Sequence, residues 1–225
     1  MLLRAPGRDV AIALYLSLLP VVASASACSP GNGGPSDGGQ EAEPCPVGFL
    51  GTEGGAPDFD MLVLDGQEMV GPLDDGGTAP MILPPQGGRV IFVGVRATNV
   101  DGCGLQLTGA LRDLTTQQVR VDSRTINLID TNDGYGVSGT PDTSVSVAIA
   151  NFSNVPVCPN EWSATNVYGT TYGLEVTIQD REGRQLTKKI AVTPECGQPD
   201  NAADCMCICK GGYVLGEMCD AGAEE

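Results

Sequence analysis

The sequence predicts an all-β protein, an antiparallel β-sandwich followed by a small disulfide-rich C-terminal tail. Three observations carry this expectation. Short runs of alternating apolar and polar residues recur along the chain with Gly, Asp, Asn and Pro clusters between them, which is the signature of half-buried strands joined by turns. No stretch sustains a helical period. Cys196, Cys205, Cys207, Cys209 and Cys219 crowd the end of the chain, where the sequence is too dense in cysteine and glycine to pack a core and must be shaped by disulfides.

The elements follow in order. Residues 60–64, Asp-Met-Leu-Val-Leu, form the first strand candidate, stopped by Asp65-Gly66 and by the Gly- and Asp-rich stretch 71–77. Residues 81–83 are expected as a short edge strand that Pro84-Pro85 ends. Val90-Ile-Phe-Val-Gly-Val95 is a nearly unbroken apolar run, the pattern of a central strand covered on both faces, and the segment before residue 88 is expected to supply the cover on its far side. Cys103, Leu105, Leu107, Gly109 and Leu111 alternate with polar residues, Val119 and Val121 repeat the alternation, and Ile126 and Leu128 resume it. Val145, Val147 and Ile149 read as a further half-buried strand. Residues 172–193 predict a hairpin: Tyr172, Leu174, Val176 and Ile178 share one face, Leu186, Ile190 and Val192 repeat the pattern, and Asp180-Arg-Glu-Gly183 supplies a bulged turn. About seven principal strands at this spacing predict a sandwich.

Composition removes whole classes of chemistry. Histidine is absent, which excludes Ser-His and Cys-His catalysis, His-ligated zinc and a histidine switch near neutral pH. Aromatic residues make up only 4%, so the core is aliphatic and a sugar-stacking surface has little to draw on. The net charge of −16 makes nucleic acid an unsuitable partner, because binding it needs Lys and Arg to neutralise phosphates. Gly136-Val-Ser-Gly139 lacks the spacing of a nucleophile elbow, and no phosphate-binding Gly-x-x-x-x-Gly-Lys loop occurs. The carboxylate pairs Asp58 with Asp60 and Asp74 with Asp75 have the chemistry for acid–base work on a glycoside, but in a chain with 28 acids solvated loops account for them. Asp130-Thr-Asn-Asp133-Gly134 is oxygen-rich but misses the EF-hand register, its glycine coming one position early. The sequence therefore predicts neither an enzyme nor a cofactor.

The amino terminus reads as a secretory signal. Residues 1–9 carry Arg4 and Arg8, residues 10–23 form an apolar run of 14, and Ser24-Ala-Ser-Ala27 is a small-residue cleavage region. That run is shorter than the ~20 residues a membrane span requires. Two cleavage modes are open, since Ala25-Ser-Ala27 satisfies the ordinary rule while Ala25-Ser-Ala-Cys28 resembles the lipobox of bacterial lipoproteins, with Ala25 in place of the usual leucine. Cysteine parity favours the second: of nine cysteines, lipidation of Cys28 leaves Cys45, Cys103, Cys158, Cys196, Cys205, Cys207, Cys209 and Cys219 to pair in an oxidising compartment. Removal of residues 1–27 would leave a charge of −17. Residues 29–44, rich in Gly, Pro, Ser and acids, are expected to form a disordered tether that holds the folded part ~20 Å from the bilayer. Lipoproteins of this kind carry diacylglycerol, and Ser29 after the cysteine resembles those sorted to an outer membrane. The expected organisation is signal 1–27, lipidated cysteine and tether 28–44, sandwich 45–195, and tail 196–225.

Two further resemblances bear on the fold. The segment Tyr172-Gly-Leu-Glu-Val-Thr-Ile-Gln-Asp-Arg-Glu-Gly183 resembles the ending of bacterial Ig-like and PKD-type domains, in which the tyrosine occupies the corner at the start of the penultimate strand. It departs from antibody domains: Leu174 stands where their second core cysteine would be, and Trp162 does not lie between a cysteine pair. The order of tether, Gln86-Gly-Gly88 strand, Val155-Pro-Val-Cys-Pro159 loop, hairpin and cysteine-rich end resembles uncharacterised secreted lipoproteins, and implies no activity. Cys207-Ile-Cys209-Lys-Gly-Gly-Tyr213 followed by Cys219 is similar to the carboxy-terminal half of an EGF-like module, which implies a bond between Cys209 and Cys219. Five local cysteines then need one partner among Cys45, Cys103 and Cys158 to staple the tail to the sandwich, while Cys103 with Cys158 is a candidate core bridge.

These readings predict a lipid-anchored structural, adhesive or protein-binding module of the bacterial cell envelope, its partner unspecified. The alternative is an extracytoplasmic metal-binding protein, with calcium in the acidic loops or a soft metal on Cys205, Cys207 and Cys209.

Overall fold

The structure is a computed structural model that describes residues 46–219. The signal segment, Cys28, the tether and Cys45 lie outside the described residues. The chain forms β1 (Phe49–Leu50), β2 (Asp58–Leu64), β3 (Val70–Pro72), β4 (Gly77–Met81), β5 (Arg89–Thr98), β6 (Val100–Asp101), β7 (Cys103–Arg112), β8 (Val119–Asn127), β9 (Ile129–Asp130), β10 (Gly136–Val137), α1 (Val145–Asn151), β11 (Ser153–Cys158), β12 (Tyr172–Gln179) and β13 (Gln185–Cys196), then a 3-10 turn (Pro199–Asn201) and α2 (Ala202–Ile208).

The main strands make a β-sandwich, beside a short two-stranded pairing of β1 with β6. One sheet runs β3-β2-β5-β10-β9, with β11 also on β5, and the other runs β4-β13-β12-β7-β8. β4 crosses from the first sheet to lie parallel to β13, the last strand, and the remaining strand pairs described are antiparallel. The terminal hairpin falls where the sequence places it: Tyr172 pairs with Val192 and Gln179 with Gln185. Its turn is built locally, with the Asp180 carboxylate accepting the N–H groups of Glu182 and Arg184 at 3.0 Å each and Gly183 taking a φ of 82°. Tyr172 holds the corner, its hydroxyl donating to Ser163 Oγ at 2.8 Å and approaching the Asn166 carbonyl at 3.4 Å. Trp162 packs against its ring, centroids 5.3 Å apart.

The main core lies between the sheets and includes Met61, Val93, Val95, Leu105, Leu107, Val155, Leu174 and Val176. A second cluster, Leu64, Ile82, Phe92, Ala148 and Phe152, covers the far side of β5. The segment before residue 88 thus contributes Leu64 and Ile82, but half of the cover comes from α1 and the residue after it. The Phe152 ring fits there because Gly94 and Gly139 lack side chains: a Cβ on Gly94 would stand 2.4 Å from it and one on Gly139 2.9 Å.

Several sequence expectations are corrected. Residues 145–151 are helical, not a strand, because Ala148, Ile149 and Phe152 together face Phe92 and Leu64. Val119 and Val121 are exposed; β8 is continuous, so Ile126 in the core places every odd residue on the other face. Val155 to Cys158, part of the segment 155–159 expected as a loop, belong to β11 on β5. The disulfides are Cys158 with Cys209, Cys196 with Cys205, and Cys207 with Cys219, so neither Cys209 with Cys219 nor Cys103 with Cys158 is formed. The cause is α2. An extended Cys-x-Cys-x-Cys run would put all three sulfurs on one face, whereas the helix turns Cys207 by ~200° from Cys205 and brings Cys209 back to the same face. Cys205 and Cys209 are accordingly buried, and Cys207 turns outward to Cys219. Cys103 is disulfide-bonded too.

Candidate protein-binding face

The outer face of the five-stranded sheet has two unlike halves. Register sets the rows: Ser123, Thr108, Thr177 and Thr187 form one, and Thr125, Gln106, Gln179 and Gln185 the next. Five of these side chains bond one another, with Thr108 to Ser123 at 2.7 Å, Gln106 to Ser123 at 2.9 Å and Thr177 to Thr187 at 2.8 Å. This half is polar throughout.

The other half is the more apolar, with Arg112, Glu175 and Lys189 as its charged members. Val121 lies opposite Ala110, and Val119 opposite Arg112, which is followed across the sheet by Gly173 and Ala191. Leu114 is 53% exposed and Val121 56%. A depression of about 300 Å³ opens between Ala110, Leu114 and Gly173, rimmed by Arg112 and by the ion pair of Lys189 with Glu175 at 2.6 Å. Gly173 makes the hollow, since a Cβ there would meet Leu114 Cδ2 at 3.3 Å.

Leu114 is held outward by a rigid turn. Asp113, buried at the end of β7, accepts the N–H of Thr115 at 2.7 Å and of Thr116 at 3.1 Å. Burial pushes the Asp113 carboxyl up, but hydrogen bonds from Thr116, Ser163 and Thr115 outweigh it and hold its pKa below the ordinary carboxylate value. Ser163 is also the partner of the Tyr172 hydroxyl, so the turn that carries Leu114 is tied to the tyrosine corner. Leu114 escaped the sequence reading because no strand pattern includes it; its signal is a lone large apolar residue in Asp-Leu-Thr-Thr, among turn formers.

Of the predicted cysteine sites, Cys158, Cys196, Cys205, Cys207, Cys209 and Cys219 come together at the tail, while Cys103 stands apart at the start of β7. The bond of Cys158 with Cys209 staples α2 to β11, and both sulfurs lie within 4.0 Å of Met81 Sδ. Buried Arg89 adds an ion pair to Asp204 at 2.7 Å and donates to the Asn201 carbonyl. Burial lowers the Arg89 pKa, while Asp204 acts to raise it. Asn160 accepts Ser163 N–H, donates to Thr165 and Lys210 carbonyls, and through its own N–H reaches Ile208. Beyond this anchor the loop closed by Cys207 and Cys219 exposes Val214, Leu215 and Met218, at 67%, 70% and 84%.

The oxygen-rich loop at 130–134 uses its carboxylates internally. Asp130 accepts Asn132 N–H, while Asp133 accepts from Thr131 and Tyr135 and pairs with Arg96 at 2.8 Å. Cys205, Cys207 and Cys209 are all disulfide-bonded, which takes away the thiolates of a soft-metal cluster. Among the described residues no group of three or more His, Cys, Asp or Glu side chains is placed to hold a metal ion, and no helix is long and apolar enough to cross a membrane. No protein-family model matches the chain, and no curated protein matches it in sequence.

Proposed function

We propose that this protein is a non-catalytic, lipid-anchored protein-binding module of the bacterial cell envelope that meets its partner through the more apolar half of its outer sheet face. The observation that carries the reading is exposed Leu114 over a glycine-made hollow, with Val119 and Val121 exposed on the neighbouring strand opposite Arg112 and Ala110. Exposed apolar clusters on an otherwise hydrophilic surface mark contact sites, and an aliphatic anchor entering the hollow would bury area without moving the backbone. The three described disulfides suit an oxidising compartment, as does the signal and Cys28 motif at the amino terminus.

Two measurements test the halves separately. Intact mass of the membrane-extracted protein should show diacylglycerol on Cys28, and an unmodified Cys28 removes the anchor. A photo-crosslinking residue at Val121 should give one adduct from the native envelope that the same residue at Val147, exposed on α1, does not give. Leu114→Asp should abolish that adduct while leaving the thermal midpoint unchanged. Equal labelling from both positions would exclude the face.

A further inference from the structure

We infer a second site, independent of the sheet face: a cleft between the two sheets that takes an extended basic segment of a partner protein, with a Lys or Arg side chain seated in it. The cleft exists because two strands run out of neighbours. β3 pairs with β2 only at residues 62–64; beyond it no strand covers β2, whose outward Met61 carbonyl accepts Leu73 N–H and whose Phe59 carbonyl accepts Lys188 Nζ. β4 pairs with β13 only from Val192 onward, which leaves the edge of β13 open over residues 185–190. Between these edges lies a space of about 560 Å³, floored by Phe59, Met61, Leu73 and Ile190. The turn after β3 closes one end, where Ala191 N–H is already capped by Asp75 at 2.7 Å and the Ala191 carbonyl by Gly76.

Charge selects the occupant. Two cations, Lys188 and Arg96, line the cleft with Asp60, Asp74 and Asp75. Both cations are already matched. Lys188 binds Asp58 at 2.8 Å and donates to the Phe59 carbonyl; Arg96 binds Asp133 at 2.8 Å and stacks on Tyr135 at 3.6 Å. Arg96 reaches Asp60 only at 3.8 Å. Three carboxylates therefore stand in excess around an apolar floor. A Lys or Arg side chain matches both features, with an alkyl stem for the floor and a cation for the rim, whereas an acidic ligand would be repelled.

The open edge of β13 favours a peptide over a small amine. Along β13 successive residues point their N–H and C=O groups alternately toward β12 and away from it. Ala191 points away, toward Asp75 and Gly76, so Lys189 and Thr187 point away as well, along the open edge. An extended segment added there gains main-chain bonds and places alternate side chains toward the cleft.

The test uses the mature protein and two fluorescein-labelled, end-capped peptides, Lys-Val-Lys-Val-Lys and Glu-Val-Glu-Val-Glu, read by anisotropy at low salt. The lysine peptide should bind saturably and the glutamate peptide should not. The double variant Asp60→Asn, Asp74→Asn should weaken binding about fivefold, the loss expected for two partly exposed charge contacts. The double variant Glu68→Gln, Glu161→Gln removes the same charge elsewhere and should leave binding unchanged. Methylating alternate backbone amides of the lysine peptide should weaken it as well. Equal weakening by both double variants would reduce the effect to attraction by net charge, and undiminished binding of the methylated peptide would reduce it to a small-amine site. Either result overturns the proposal and leaves the sheet-face reading untouched.

Discussion

Asp113 shows how one buried carboxylate positions a surface. Its charged form is held by the N–H groups of Thr115 and Thr116 and by Ser163, so its folded pKa lies below its unfolded one. A depressed pKa contributes stability that is present above the unfolded value, about 4, and is lost as pH falls through the folded value. Asp113→Asn should therefore lower the urea midpoint at pH 7 and flatten the decline in midpoint below pH 4; a variant that keeps the wild-type decline would show that other acids cause it. Asp180 was legible from the sequence because its partners, Glu182 and Arg184, are local. The role of Asp113 was not, because Ser163 and Tyr172 reach it only through the fold.

At the scale of elements, α1 and β8 show two readable patterns competing within one window. Val145, Val147 and Ile149 alternate as a strand would, while Val145, Ala148, Ile149 and Phe152 keep a helical spacing. Seven residues cannot decide between them. Phe92 on β5 and Ile82, bridged to Val90, need cover, and the helix provides it while leaving Val147 in solvent. Phe152→Ala should cost about 3–5 kcal/mol, the usual range for emptying a buried aromatic site, whereas Val147→Ala should stay within about 0.5 kcal/mol. Urea unfolding of the two variants measures the contrast, and similar losses would contradict the helical packing. β8 resolves the other way, with Val119 and Val121 turned outward so that Ile126 enters the core. Arg120, Asp122 and Arg124 consequently sit on the inward side near the edge, where Arg124 binds Asp122 at 2.8 Å and donates to the Ile149 carbonyl. Inward-facing charges of this kind also discourage the edge from pairing with other chains.

For the whole molecule, the tail is part of the sandwich core. Cys205 and Cys209 belong to the main buried cluster, with Ile208 packed against it. The bond of Cys158 with Cys209 spans 51 residues of sequence, and that of Cys207 with Cys219 spans 12. Loop-closure entropy assigns about 4 kcal/mol to the first and about 3 to the second. Replacing Cys158 and Cys209 by serine should cost more still, since it also buries two hydroxyls beside Met81. Chemical denaturation should thus rank the Cys158/Cys209 serine pair well below the Cys207/Cys219 pair, and the opposite order would show that the tail does not brace the sandwich.

The sequence by itself determined the all-β class, the terminal hairpin with its Asp180 to Gly183 turn, the dependence of the tail on disulfides, and the exclusion of histidine chemistry. Each rests on composition or on contacts within a few residues, which a linear pattern records. Tertiary structure alone decided the cysteine pairing, the helical state of residues 145–151, the outward turn of Val119 and Val121, and the cleft between β2 and β13. Those features depend on which face meets which neighbour across the sandwich, and burial against a distant strand overrides a short local pattern whenever two periods fit the same residues.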